Sequence, residues 1–392
     1  MLIKKKTKNI LFVDDDKRIL YAFKKALEKT EYQMFFADSA DNAFLILKNE
    51  EIDLAIVDLR MPIVSGYEIL ESIKNDYPGV FRIALIGFVD EVKILKALSK
   101  NLASSYIIKP WSQNDLLGTI DYYFSLYTEL KDRNIIEKIN SISNLPTIPD
   151  LYLKITKAID EDQDIQKIAE LIELDHSISA KVIQIVNSAY FNIKTASISK
   201  ALIYLGINNI KNIIMSQSIF SSLEDKYAEG LWKHAETTNR IMNLIYKNVL
   251  CKTLDEDLQS VGLFHDIGKV VLINDYHNGY FDLCELYFEN EDYVLQDLEY
   301  EKFGLSHEEV GYYFMKLWGV IEEIPEAALY HHDPFNENVK NKELVSVIHL
   351  ANHYSKIVLE NKVYDHELDM RVFDYLGINQ QYFENVLQTA KI

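Results

Sequence analysis

The 392-residue chain has few cysteines, few basic residues for its acids, and no long apolar run. Its two cysteines, Cys251 and Cys284, are far apart and show no CxxC spacing. That excludes a disulfide framework and a thiolate zinc site, and it predicts a reducing, cytoplasmic location. No apolar stretch approaches the roughly 20 residues that cross a bilayer, so no membrane partner is expected. The lysines of the N-terminus precede only a short apolar run that stops at Asp14, Asp15 and Asp16, so no secretory signal is expected. Basic residues number 41 against 60 acidic, a formal charge of -19. Such a chain repels polyphosphate on average, and its one basic cluster (Lys4, Lys5, Lys6 and Lys8) reads as a solvated tail. DNA is therefore not an expected partner. Glycine is sparse in the second half and falls at expected helix ends such as Gly206, Gly304 and Gly319. What remains is ordinary for globular protein: 48% hydrophobic and 26% charged residues, in a length that suits two or three domains.

The first 128 residues alternate strand-like and helix-like patterns. Asn9–Val13, Tyr32–Phe36, Leu54–Val57, Arg82–Ile86 and Ser105–Ile108 read as strands. Arg18–Glu28, Asp41–Lys48, Tyr67–Ile73, Glu91–Ser99 and Asp115 onward read as helices. The alternation predicts a parallel α/β sheet wrapped on both faces, and the continuous apolar strands suit burial on both sides.

The last of these helices keeps an apolar stripe at Leu116, Ile120, Tyr123, Phe124, Tyr127 and Leu130 before charged residues take over. Two readings stay open. The segment 116–140 is a linker helix that pairs with a second copy in a homodimer, or the stripe packs on its own domain. Asn144-Leu-Pro-Thr-Ile-Pro149 is a breaker and marks a boundary. Beyond it the pattern is helical, which predicts an all-α domain over about 138–358 and a helical tail over 359–392.

Asp14 and Asp15 follow the first strand, Asp58 the third and Lys109 the fifth. In an open α/β sheet the ligand sits beyond the carboxyl ends of the strands, so these groups converge. Crowded carboxylates call for a hard divalent cation, Mg2+ above all. Pro110 allows a cis peptide that aims Lys109. Phe12-Val-Asp-Asp-Asp16, Val57-Asp-Leu-Arg-Met-Pro62 with Gly66, and Tyr106-Ile-Ile-Lys-Pro110 resemble the flavodoxin-like receiver domain of two-component response regulators. The resemblance implies that Asp58 is the phosphoacceptor, served by a cognate histidine kinase. It implies Asp14, Asp15, Asp58 and the Arg60 carbonyl as Mg2+ ligands, Lys109 as the phosphate contact and Tyr106 as the aromatic switch. The hydroxyl usual at the end of the fourth strand is missing, with Ile86 read at that place. A receiver-like scaffold never phosphorylated is the weaker alternative.

Histidines cluster in the second half. His234 is read at the opening of a helix, His265-Asp266 lies within Gly262–Lys269, and His307 and the His331-His332 pair follow. Imidazoles with a carboxylate suit Fe, Mn or Zn, and two such ions can activate a water for phosphoester hydrolysis. Taken alone, His307 or His349 reads as a hydrogen-bonded core residue. Leu145–Pro149, Leu174-Asp-His176, Val186–Tyr190, Ala201–Gly206, Leu231–His234, Gly262–Lys269 and His331–Pro334 resemble the HDOD domain, a signalling relative of the HD phosphohydrolases. The likeness implies His234, His265, Asp266, His307, His331 and His332 as a second metal site and Lys269 as a phosphate contact. Two positions depart: Asn352 stands where the hydrolases keep a late aspartate, and Gly230 where a further carboxylate is needed. The expected function is therefore a response regulator whose output domain signals through a downstream protein or a nucleotide ligand. A phosphorylation-gated cyclic-dinucleotide phosphodiesterase is the alternative.

Overall fold

The computed structural model describes residues 8–87, 102–129, 133–142, 149–175, 178–179, 182–183, 195–223, 225–289, 293–317, 320–360 and 368–390. The expected helix Glu91–Ser99, most of the 144–149 breaker, Leu130, His176, the Val186–Tyr190 motif, Gly319 and the lysines at 4–6 lie outside them. The chain divides into two compact units, Met1–Thr147 and Ile148–Ile392.

The first unit holds five parallel strands: β1 (Asn9–Val13), β2 (Gln33–Ala37), β3 (Leu54–Asp58), β4 (Phe81–Gly87) and β5 (Ser105–Lys109). Their order is β2-β1-β3-β4-β5. The three inner strands are the continuous apolar runs, and every residue of β3 is buried. Helices cover the sheet and start on short polar caps. Asp16 accepts from Arg18 N, Ser39 accepts from Asn42 N, and Ser65 with Glu68 forms a capping box. The order reverses between β1 and its neighbours β2 and β3, so the strand ends of β1 and β3 flank the crevice where ligands collect.

The stripe on the Gln113–Glu129 helix has its partners at home. Leu116, Ile120, Tyr123 and Phe124 are buried. The Tyr123 ring lies 5.2 Å from Phe81, and its hydroxyl donates to the Ser104 carbonyl at 3.1 Å. Tyr32 stacks on Phe124 at 5.3 Å. Of the two readings, these four side chains favour packing on their own sheet; the Tyr127 side chain and Leu130 lie outside the described residues. A further helix, Arg133–Ser141, follows.

Every described element of the second unit is helical. The Asp225–Leu244 helix packs on Lys342–Glu360, and Ile267–Tyr276 packs on His307–Leu317. Ile267 through Asn274 is buried on all sides, which marks a central helix. Two glycines let it sit there. A Cβ on Gly268 would meet the His307 carbonyl oxygen at 1.9 Å, and one on Gly262 would meet Asn239 Cα at 2.7 Å. In the tail, Phe373, Ile378, Phe383 and Leu387 are buried, as expected, while Tyr375 is exposed.

One placement needs correction. His234 does not open a helix but lies well inside Asp225–Leu244. Gly230 is an exposed interior glycine of the same helix, which costs about 1 kcal/mol and does not end a helix supported by packing.

An acidic pocket and a histidine cluster

In the first unit Lys109 closes β5, Asp58 closes β3 and Asp14 follows β1. Lys109 Nζ lies 2.7 Å from Asp14 Oδ2 and 2.9 Å from Asp58 Oδ2. Asp14, Asp15 and Asp58 each offer an oxygen within 4.8 Å of the others. The backbone trims their freedom: Asp16 N–H donates to Asp14 at 2.9 Å and Arg60 N–H to Asp58 at 3.2 Å. Burial pushes the Asp14 carboxyl above the usual range, against the downward pull of Lys109. A Cβ on Gly66 would meet the Asp58 carbonyl oxygen at 1.9 Å, so only glycine lets the Gly66–Asp76 helix close on this strand end. The Lys109-Pro110 peptide is cis, as anticipated. A set of carboxylate oxygens balanced by one ammonium fits a hard divalent cation.

Ile86 does not face this pocket. It is 2% exposed and packed in the core with Val57, Leu59 and Ala103. The last residue of β4 is Gly87, paired in register with Lys109. The missing hydroxyl therefore belongs to position 87, where an added Cβ would meet nothing within 4 Å. Tyr106 is 41% exposed on the edge strand.

In the second unit one carboxylate gathers the imidazoles. Asp266 Oδ1 lies 3.4 Å from His307 Nε2 and 3.3 Å from His331 Nε2. Its Oδ2 lies 3.3 Å from His234 Nε2, 3.5 Å from His265 Nε2 and 2.7 Å from Lys269 Nζ. Two possible ligand sets thus share Asp266: one with His307, His331 and His332, the other with His234 and His265. Lys269 is turned onto Asp266 and holds that carboxyl well below the usual range, together with the histidines and against burial.

Four of the rings are held from behind. His265 Nδ1–H donates to the Gly262 carbonyl and His331 Nδ1–H to the Ala328 carbonyl, each at 2.9 Å. His307 Nδ1–H donates to Glu299 at 2.7 Å. Behind His234, Ser355 Oγ sits 3.0 Å from Nδ1, donates to the Asn352 carbonyl and accepts from Thr238. Ser355 has one proton, already given to Asn352, so His234 Nδ1 is the donor. Every one of these Nε2 atoms then carries a lone pair into the cluster. With these tautomers His234 and His265 set two such lone pairs 3.2 Å apart, a contact that a cation between or beside them would relieve. Asp266 Oδ1 and Nε2 of His307, His331 and His332 are buried without a hydrogen-bond partner. Burial lowers His234 to about 4 and His331 to about 3, and it pushes His332 well below its usual range. Neutral imidazoles, a shared carboxylate and orphaned buried lone pairs fit a first-row metal.

His307 is a hydrogen-bonded core residue and also a member of the cluster, with its Nε2 3.4 Å from Asp266 Oδ1. His349 is the hydrogen-bonded core residue expected: Nδ1–H donates to the His331 carbonyl at 2.7 Å and Nε2 accepts from Asp369 N–H at 2.9 Å. Asn352 is buried, with its Oδ1 unpartnered. Sequence reasoning missed Glu299, Tyr280 and Ser355. They act across helices, so no spacing within one helix announces them.

Together the two units present an acidic pocket with a lysine on a doubly wound sheet and a histidine cluster in a helical domain. Family comparison agrees. Residues 10–121 match the response regulator receiver domain and residues 145–334 the HDOD domain. The chain thus joins a stretch that matches the receiver domain to one that matches the HDOD domain. An HDOD domain protein from Geobacter sulfurreducens is 25% identical, with 68% of this chain and 89% of that one covered at a TM-score of 0.50. The hydrogenase transcriptional regulatory protein HoxA of Cupriavidus necator is 30% identical over 115 residues, 29% of this chain and 24% of that protein. The heme response regulator HssR of Staphylococcus saprophyticus is 30% identical over 146 residues, 37% of this chain and 61% of that protein. The chain thus spans a quarter to three fifths of these two curated relatives. No helix among the described residues is long and apolar enough to cross a membrane.

Proposed function

We propose that Asp58 accepts a phosphoryl group from a cognate histidine kinase and that the HDOD domain passes the signal on by binding a downstream protein or a nucleotide ligand. The observation that carries this is the Lys109 ammonium held between Asp14 and Asp58 at the ends of their strands. An Asp58 carboxylate oxygen attacks the phosphorus of the kinase's phosphohistidine, the P–N bond breaks, and the kinase imidazole leaves, taking up a proton from solvent. Lys109 then offsets the charge gathering on the phosphoryl oxygens. Asp14, Asp15, Asp58 and the backbone at Arg60 would hold Mg2+, which supplies charge neutralisation at that oxygen. Incubation with acetyl phosphate and Mg2+, followed by Phos-tag electrophoresis, tests the reading. Wild type should shift and Asp58→Asn should not. An unshifted wild type beside a shifted control receiver would leave only the unphosphorylated scaffold.

In the HDOD domain His234, His265, Asp266, His307, His331 and His332 would hold Fe, Mn or Zn, which supplies Lewis acidity. The signalling reading is preferred over a cyclic-dinucleotide phosphodiesterase because Asn352 and Gly230 bring no carboxylate where hydrolysis would need one. Lys269 paired with Asp266 remains available to a ligand phosphate only by leaving that carboxylate. Turnover of a cyclic dinucleotide that vanishes in His265→Ala would reverse this preference. The proposed limits are 1–128 for the receiver, 116–140 for the linker, 138–358 for the output domain and 359–392 for the tail, and the division of the chain beside Thr147 supports a receiver unit followed by a helical one. The paucity of cysteine supports a cytoplasmic setting.

A further inference from the structure

The rings of the histidine cluster are not held alike. His265 and His331 lean on backbone carbonyls three residues earlier, and His234 leans on a hydroxyl. Among these four rings, His307 alone is backed by a carboxylate, Glu299.

Glu299 is fully buried, with 0% exposure. Its Oε2 accepts from His307 Nδ1–H at 2.7 Å and from His307 N–H at 2.9 Å. Its Oε1 accepts from the Tyr280 hydroxyl at 2.6 Å. Tyr280 is itself buried, and burial with the neighbouring Glu299 holds its hydroxyl protonated well above its usual range. A carboxylate has no proton to give, so both His307 contacts are donated by His307. The proton is thereby fixed on Nδ1 and the lone pair on Nε2, where it faces Asp266 Oδ1 at 3.4 Å. An anion on Nδ1–H also makes Nε2 more basic, as carboxylates behind metal-bound histidines do.

We propose that Tyr280 and Glu299 form a relay that sets the tautomer and basicity of His307, and so selectively strengthens one of the two metal positions sharing Asp266. Glu299 is a positioning residue: it touches the ring, not the ion. The position it serves is that of Asp266, His307, His331 and His332; the position of His234, His265 and Asp266 lies outside its reach. The proposal rests on the metal reading above.

The test titrates Co2+ into the chelator-stripped full chain, reading visible absorption and calorimetry, with Glu299→Gln and Tyr280→Phe alongside. Wild type should take two equivalents. Glu299→Gln should bind one of them about 10- to 100-fold more weakly and leave the other unchanged. Tyr280→Phe should move the same equivalent by a smaller factor. If Glu299 is only a tether for the Ser306–His307 turn, Glu299→Gln will melt lower yet keep both equivalents within threefold of wild type, and the proposal falls. Histidine 15N NMR on the metal-free chain separates this from failure of the metal reading. His307 should be the Nδ1–H tautomer in wild type and mixed in Glu299→Gln. An Nε2–H tautomer in wild type would overturn the relay whatever the metal does, and a wild type that binds no Co2+ would sink the metal reading and the selectivity claim together.

Discussion

The receiver pocket and the HDOD cluster solve one problem with different side chains. Each holds carboxylate charge beside a lysine, Lys109 in one and Lys269 in the other. Each depends on a glycine pressed onto a backbone carbonyl, Gly66 on Asp58 and Gly268 on His307. They differ in solvent and charge. The receiver pocket gathers three carboxylates, and Asp15 is exposed. The HDOD cluster is mostly imidazoles around one carboxylate, and His265, His307 and His331 are wholly buried. An open anionic pocket suits a cation that exchanges and a phosphoryl group that comes and goes. A closed neutral cage suits an ion that stays.

The sharpest way to break the comparison is to remove the shared carboxylate. Asp266→Asn removes the anion that lies 2.7 Å from the buried Lys269 ammonium. The expected loss is about 3–5 kcal/mol of stability in the helical domain, read by urea unfolding in chelator. Asp14→Asn should cost far less, because Lys109 keeps Asp58 and reaches water. Equal losses would mean that burial does not separate the two sites.

The glycines come next. Gly66→Ala and Gly268→Ala each force a methyl onto a carbonyl that must shift, at about 1–3 kcal/mol. Gly66→Ala should slow phosphorylation by acetyl phosphate and spare metal binding in the helical domain. Gly268→Ala should do the reverse. Loss of both functions in either variant would show that the damage is global.

pH should separate the two regions further. His234 and His331 have folded values of about 4 and about 3, below the usual 6.5. Between those values the unfolded chain binds more protons, so stability rises with pH there. The metal-free helical domain should hold full stability above pH 6.5 and lose it as pH falls toward about 4. The loss at pH 5.5 is on the order of 1 kcal/mol for each of these histidines. Thermal melts in EDTA at pH 7.5 and 5.5 check this. A higher melting temperature at 5.5 would contradict the neutral cage.

Much of this was legible in the residues. Leu54-Ala-Ile-Val57 and its neighbours announce a doubly covered sheet because strands buried on both faces cannot alternate. The acids stand at strand ends, and the sheet brings them together. The helical half gave its ring-bearing motifs but not their backing. Glu299 reaches His307 across a turn, and Ser355 reaches His234 across 121 residues, so no period encodes either contact. The partners of the Leu116–Phe124 stripe were equally hidden, since a helical stripe does not say which surface covers it. The misplacement at 86 has a plain cause. Strand side chains alternate faces, so an error of one residue exchanges core for pocket.

That one-residue difference yields the smallest expected effect. Gly87 pairs with Lys109 and has open space where a side chain would begin. Gly87→Ser adds a hydroxyl donor at that strand end. One net hydrogen bond to a phosphoryl oxygen is worth about 0.5–1.5 kcal/mol, so the phosphoryl group on Asp58 should persist about two- to tenfold longer. Ile86→Thr instead puts a hydroxyl among Val57, Leu59 and Ala103, where it lowers receiver stability and leaves that lifetime alone. Phosphoryl lifetimes by Phos-tag electrophoresis, with melting temperatures for the same variants, decide between the positions. A longer lifetime in Ile86→Thr than in Gly87→Ser would return the switch to residue 86. The assigned register makes the opposite ranking follow from geometry, because only position 87 ends its strand beside the lysine that already binds Asp58.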